Sequence, residues 1–177
     1  MGTDAADVIT AGRKTQIKQI INETLDEGVV SAFQKDVMER TVDIPTMPVK
    51  AVMIPFSKVV MADVTSGPDE LRELLRKSSY TRLPVYSKSR SNVIGLINIY
   101  QVLGSEEKFA DLEQFIEPIG MLLATTSVLD AITQMRKHNY KIMLVAPDYQ
   151  YKRKGKVLGI VTMKDLVEEL TGELSPW

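Results

Sequence analysis

The sequence predicts a mixed α/β (α+β) fold made of two copies of one helix-and-strand unit behind a helical lead-in. Three observations carry this. A fifteen-residue stretch recurs without gaps, Leu71–Val85 against Ala131–Val145, with Tyr80 meeting Tyr140 and Val85 meeting Val145. A second match follows, Val93-Ile94-Gly95-Leu96-Ile97 against Val157-Leu158-Gly159-Ile160-Val161, set four residues further apart. Short apolar runs alternate with amphipathic stretches at helical spacing, which places strands between helices.

Residues 1–43 form the lead-in. Ile17, Ile20, Ile21 and Leu25 recur at helical spacing, and Gly28 is a stop signal. Ser31 is a candidate N-cap for a second helix that carries Phe33, Val37 and Met38. The run Ile44-Pro45-Thr46-Met47-Pro48 then breaks the helix, because proline removes an N–H and restricts the residue before it.

Repeat one occupies 44–110 and repeat two 111–177. Each is expected to run helix (68–79 and 128–139), strand (82–86 and 142–146), turn, strand (93–97 and 157–161), helix (99–103 and 164–170). Pro68 suits a first helical turn, where its missing N–H would be unbonded anyway. Leu71, Leu74 and Leu75 share one face; Ile132, Met135 and Arg136 share the corresponding one. The extra residues of repeat two fall in the polar stretch 147–156, which reads as a longer hairpin.

Composition removes several functions. The net charge of −1 gives no basic footprint for nucleic acid. The absence of cysteine excludes disulfides and thiolate metal sites and permits a reducing compartment. No apolar run approaches the roughly 20 residues of a membrane span, and residues 1–7 do not resemble a secretory signal. With His138 as the only histidine, neither a Ser/His/Asp triad nor a histidine metal cluster can be assembled, so no enzyme is expected. Glu168, Glu169 and Glu173 read as a solvated helix face, and the nine methionines as core filler.

The repeat plan and the segment Gly159-Ile160-Val161-Thr162-Met163-Lys164-Asp165 resemble the CBS domain and its Gly-x-x-Thr-x-x-Asp motif. Val52-Met53-Ile54-Pro55, the run from Tyr80 to Tyr86, Arg90 to Gly95 and Asp165 to Glu173 look like the CorC/hemolysin-C proteins and the cyclin-M magnesium transporters. The resemblance implies two β-α-β-β-α units packed about a pseudo-two-fold axis. It also implies a homodimer and an adenine nucleotide, ATP or AMP with or without magnesium, bound between the repeats. It further implies a cytosolic sensor attached to a transmembrane domain that moves a divalent cation. The competing expectation is a structural dimerisation module with an empty cleft.

The binding residues so implied are Ile54, Pro55, Tyr80, Thr81, Arg82, Pro84, Thr162 and Asp165. Asp165 can accept the two hydrogen bonds of a ribose diol, or serve as an acid favoured by a helix dipole. Thr162 can cap that helix or meet a phosphate. Arg82 offers a fork of donors to a phosphate. Tyr80 can flank an adenine or pack as a half-buried core residue. Repeat one has Asn98 and Gln101 where repeat two has Thr162 and Asp165, so one good nucleotide site is expected. Ile54 and Phe56 replace a threonine and an arginine of the resembled pattern, which removes polar contacts from the same cleft. The basic run after Pro147 could reach a phosphate, though a solvated hairpin is the plainer reading.

Overall fold

A computed structural model describes residues 5–78, 80–105, 112–147 and 157–172, with the backbone alone for 5–8. The expected hairpin loop 148–156, Ser79, Glu173 and the last residues 174–177 lie outside the described residues.

The lead-in is a helical hairpin, α1 (Ala5–Asp26) and α2 (Ala32–Asp43). Gly28 takes φ 72°, a conformation glycine adopts without strain, and the chain turns there. Ser31 caps α2 through a reciprocal pair of bonds: its hydroxyl accepts from Gln34 N–H, and the Gln34 side chain accepts from Ser31 N–H. The apolar stripe is only partly used. Ile21 is buried, whereas Ile17, Ile20, Phe33 and Met38 are exposed, because the face that carries them meets no other element. The hairpin is held where it joins the body. Lys18 Nζ donates to Asp43 Oδ2 at 2.7 Å, and Lys14 bonds Thr46. The hydrogen bond that Lys18 donates to Asp43 raises the Lys18 pKa above its ordinary value.

After a 3-10 turn and the short helix α3 (Val49–Val52), the chain enters two sheets. One has the order β2 (Ala62–Asp63), β3 (Arg82–Ser87), β4 (Ser89–Asn98). The other has the order β1 (Ile54–Pro55), β7 (Gly159–Thr162), β6 (Ile142–Ala146), β5 (Gly120–Leu123). The helices are α4 (Pro68–Lys77) and α5 (Ile99–Leu103) in repeat one, and α6 (Val128–Lys137) and α7 (Met163–Thr171) in repeat two. Each repeat is therefore β-α-β-β-α. In each, a parallel pair precedes an antiparallel one: Ala62 aligns with Val85 as Leu122 aligns with Val145. Val85 and Val145 are both fully buried on the middle strands.

The helix ends differ from expectation by two residues. α4 and α6 stop at Lys77 and Lys137. Asn139 adopts φ 56°, a left-handed conformation that breaks the helical path. Arg136 is exposed, so the buried stripe of α6 is Val128, Ala131, Ile132 and Met135. The β4 strand runs longer than the apolar core of its sequence, from Ser89, because the hairpin turns tightly at Lys88 (φ 65°).

The repeats exchange segments. β1 leaves the first repeat and pairs antiparallel with β7 of the second, Ile54 with Ile160 and Pro55 with Gly159. In return Glu117 bridges Leu96 of β4, with N–H to O distances of 2.8 and 3.0 Å. Ile44 and Val49 likewise bury themselves in the core of repeat two, beside Leu122, Met135 and Leu166. A second core fills repeat one around Leu71, Leu83 and Ile97. A third lies between the sheets and draws on both repeats: Val59 and Met61 from one, Ile142, Leu144, Val157 and Ile160 from the other.

Candidate functional site

The shared core opens on one side into a narrow cleft of about 40 Å³. Its apolar walls are Ile54, Val59, Val60, Leu83, Pro84, Ile142 and Ile160, and its polar groups are Lys58, Tyr80, Arg82 and Thr162. Pairing explains why these residues converge. Arg82 opens β3 opposite Asn98, while Thr162 closes β7 opposite Ile142, so the ends of two antiparallel pairs meet from different repeats. Pro84 sits within a strand yet costs no sheet bond on one side, since β2 reaches only Val85 and Tyr86.

Of the eight residues expected from the sequence, Ile54, Tyr80, Arg82, Pro84 and Thr162 line this cleft. Pro55 is exposed beside Gly159 and does not line it. Thr81 does not line it either; its carbonyl accepts from Ile99 N–H at 2.9 Å and anchors the start of α5. Asp165 lies past Ile54, in an adjoining open depression with Arg40, Val52, Glu168 and Glu169. Ile54 borders both spaces.

Thr162 and Asp165 form a capping box at the start of α7. Asp165 Oδ2 accepts from Thr162 N–H at 3.1 Å and from the Thr162 hydroxyl at 2.8 Å. Asp165 N–H donates to the Thr162 hydroxyl oxygen at 3.2 Å. Asp165 is half-buried, not the exposed helix-start acid that its position suggested. Oδ1 makes no recorded bond among the described residues and keeps its lone pairs for a further donor. Asn98 caps α5 in the equivalent place by accepting from Tyr100 N–H, and Gln101 is exposed. By the pairing with Leu96 and Ile160, Glu117 stands where Ile54 stands in the first cleft, and Ile142 stands where Arg82 does. At the repeat-related positions an acid thus replaces the aliphatic Ile54 and an aliphatic side chain replaces the guanidinium of Arg82.

Residues missed from the sequence are Lys58, Val59, Val60, Leu83, Ile142 and Ile160. Lys58 ends a 3-10 turn (Phe56–Lys58), and no motif marks it. Arg90 was also missed. Its Nη2 donates to Val59 O at 2.7 Å across 31 residues, and its guanidinium lies 5.9 Å from the Tyr86 ring centroid. This bond pins the Lys58–Val60 wall to the β3–β4 hairpin. Phe56 packs against the inter-repeat core, so the residue that took the place of an expected arginine belongs to that core and does not line the cleft. Among the described residues no group of three or more His, Cys, Asp or Glu side chains is arranged for a metal ion, and no helix is long and apolar enough to cross a membrane.

The fold defines a tandem pair of β-α-β-β-α units, and the comparison with family models agrees: the CBS domain model matches residues 49–107 and 114–172. The chain belongs to the CBS domain family. Among curated proteins it is 24% identical over 169 residues to UPF0053 protein YhdP of Bacillus subtilis, covering 93% of this chain and 37% of that protein. It is 24% identical over 164 residues to the magnesium and cobalt efflux protein CorC of Vibrio cholerae, covering 91% and 55%. It is 21% identical over 153 residues to hemolysin C of Brachyspira hyodysenteriae, covering 86% and 55%. The chain thus spans about a third to a half of the length of these relatives. The CBS domain of a bacterial CNNM/CorC family Mg2+ transporter superposes with TM-score 0.78 at 19% identity, covering 92% of this chain and 98% of that one. Its complex with ATP gives 0.71 at 21%, covering 80% and 99%. A CBS-domain pair with bound AMP from Klebsiella pneumoniae gives 0.60 at 21%, covering 71% and 99%.

Proposed function

We propose that this CBS pair is the adenine-nucleotide sensor of a CorC/hemolysin-like divalent-cation transport protein, held on the cytosolic side of an attached membrane domain. One observation carries the reading: an apolar cleft takes its walls from both repeats and carries Arg82, Tyr80 and Thr162 among its lining residues. A ligand bridging two repeats favours whichever relative arrangement of them it binds better, and can shift the balance only by that difference in affinity. In this reading the adenine lies among Ile54, Val60, Pro84 and Ile160. The ribose reaches past Ile54 to Asp165 Oδ1, and the phosphates meet Arg82 and the Thr162 end of α7. In this reading the chain binds a ligand and performs no catalysis. The relatives whose structures hold ATP or AMP support this choice of ligand.

Thermal melting with ATP, ADP, AMP and S-adenosylmethionine, each with and without magnesium, tests the proposal. A nucleotide at about 100 times its Kd adds about 2.7 kcal/mol, which for a chain of this size raises Tm by roughly 5–10 °C. A flat response to every nucleotide would overturn the proposal. It would favour a structural dimerisation module, which the engagement of Asp165 Oδ2 in its own capping box already suits.

The assembly belongs to the same proposal. Tyr100 on α5, Leu129 on α6 and Val167 on α7 are exposed apolar side chains on helices of both repeats, which a second copy would cover. Light scattering should give the dimer mass at micromolar concentration; a monomer mass at high micromolar concentration counts against it.

A further inference from the structure

We infer that Lys58 counts phosphates, making the cleft favour a nucleoside di- or triphosphate over a monophosphate; this rests on the proposed nucleotide reading. Four polar side chains border an otherwise aliphatic cleft, and two of them, Lys58 and Arg82, are cations. Neither has an ion-pair partner among the described residues, although most other cations of the chain's ordered helices do, such as Lys18 with Asp43 and Lys77 with Glu73. Among the described residues no carboxylate borders the cleft itself. Its electrostatic preference is therefore for an anion, and for one carrying more than a single charge-bearing group, because two separate cations are supplied by different segments.

The two cations differ in how they are held. Arg82 is half-buried at the first position of β3, a rigid site suited to a phosphate close to the ribose. Lys58 is exposed at the end of a 3-10 turn, on a separate segment that also lines the cleft, with a flexible four-carbon stem. Its backbone is nevertheless fixed. Val59 N–H donates to Phe56 O at 3.2 Å, and the Val59 carbonyl accepts from Arg90 at 2.7 Å. A long side chain on a pinned backbone at the mouth of the cleft reaches a phosphate that projects outward, not the one nearest the ribose. Phe56, two residues earlier, faces the inter-repeat core and supplies no charge, so Lys58 is the cation this segment contributes.

Calorimetric titration of ATP, ADP, AMP and adenosine into the wild type, Lys58→Ala and Lys58→Arg decides the matter. Lys58→Ala should weaken ATP and ADP by about tenfold, the scale of one charge-assisted contact, and change AMP and adenosine by less than about twofold. Lys58→Arg should restore most of the ATP affinity. The position is exposed, so the melting temperatures of the unliganded variants should match the wild type, which shows that the fold is kept. Equal loss for AMP and ATP, or no loss for either, overturns this inference and leaves the nucleotide reading standing. Failure of the wild type to bind any of the four overturns both.

Discussion

Asp165 uses its two carboxylate oxygens differently: Oδ2 closes the capping box on Thr162, while among the described residues Oδ1 accepts no hydrogen bond. Replacing a capping side chain costs roughly 0.5–2 kcal/mol, more than the dipole effect alone that an exposed helix acid would show. Asp165→Ala should therefore lower Tm by several degrees as well as weaken nucleotide binding about ten- to a hundredfold, as the loss of a charged acceptor implies. Asp165→Asn keeps an oxygen for Thr162 N–H, so it should melt close to the wild type while still binding weakly. Gln101→Ala, at the matching place in repeat one, should leave both unchanged. Calorimetry and melting of the three variants check this; equal binding losses at Asp165 and Gln101 would dismiss the site. The Gly-x-x-Thr-x-x-Asp spacing made Thr162 and Asp165 legible in the sequence. Lys58 and Arg90 were not: no local pattern marks Lys58, and Arg90 bonds Val59, 31 residues away in the chain.

At the scale of elements, the exchange of β1 for the Glu117 bridge is what builds the cleft, and two glycines permit it. A Cβ on Gly159 would collide with the Ile54 carbonyl oxygen, and one on Gly95 would lie 2.5 Å from the Glu117 carbonyl oxygen. Backbone sits in the way in both cases, so the neighbour cannot swing aside. Gly159→Ala and Gly95→Ala should each destabilise the fold by about 1–3 kcal/mol, the usual cost of forcing atoms into a packed site. Gly159→Ala should also abolish the ligand-induced rise in Tm, because it displaces Ile54. Urea denaturation with and without nucleotide measures both effects, and an alanine at either place with wild-type stability would contradict the crossed pairing. The helices and strands themselves were legible, since their periods of 3.6 and 2 are local. The partner of β1 was not: two residues, Ile54 and Pro55, carry no period that could name β7.

For the whole molecule, the exchange means that neither repeat owns a complete core. The cluster of Val59, Met61, Ile142, Leu144, Val157 and Ile160 is buried only when both are present. Ile44 and Val49, early in the chain, fill the core of the late repeat. We therefore expect separate fragments 1–110 and 111–177 to lack cooperative melting and to bind apolar dye, whereas mixing them should restore a folded species. The intact chain should unfold in one transition, with far-ultraviolet circular dichroism and intrinsic fluorescence changing together. A fragment 111–177 with its own sharp transition and dispersed amide spectrum would refute this.

The sequence by itself determined the two-fold repetition, the order of helices and strands, the caps at Ser31 and Thr162, and the family to which these patterns belong. Each of these depends on residues close together in the chain or on spacing that repeats. The tertiary structure alone decided that Asp165 stands outside the cleft that holds Thr162, that Pro55 and Thr81 do not line it, and that Lys58 does. It also decided that Ile17, Ile20 and Phe33 stay exposed despite their helical spacing. Local periodicity states which residues share a face, but what covers that face depends on segments distant in sequence, and those meet only when the chain is folded.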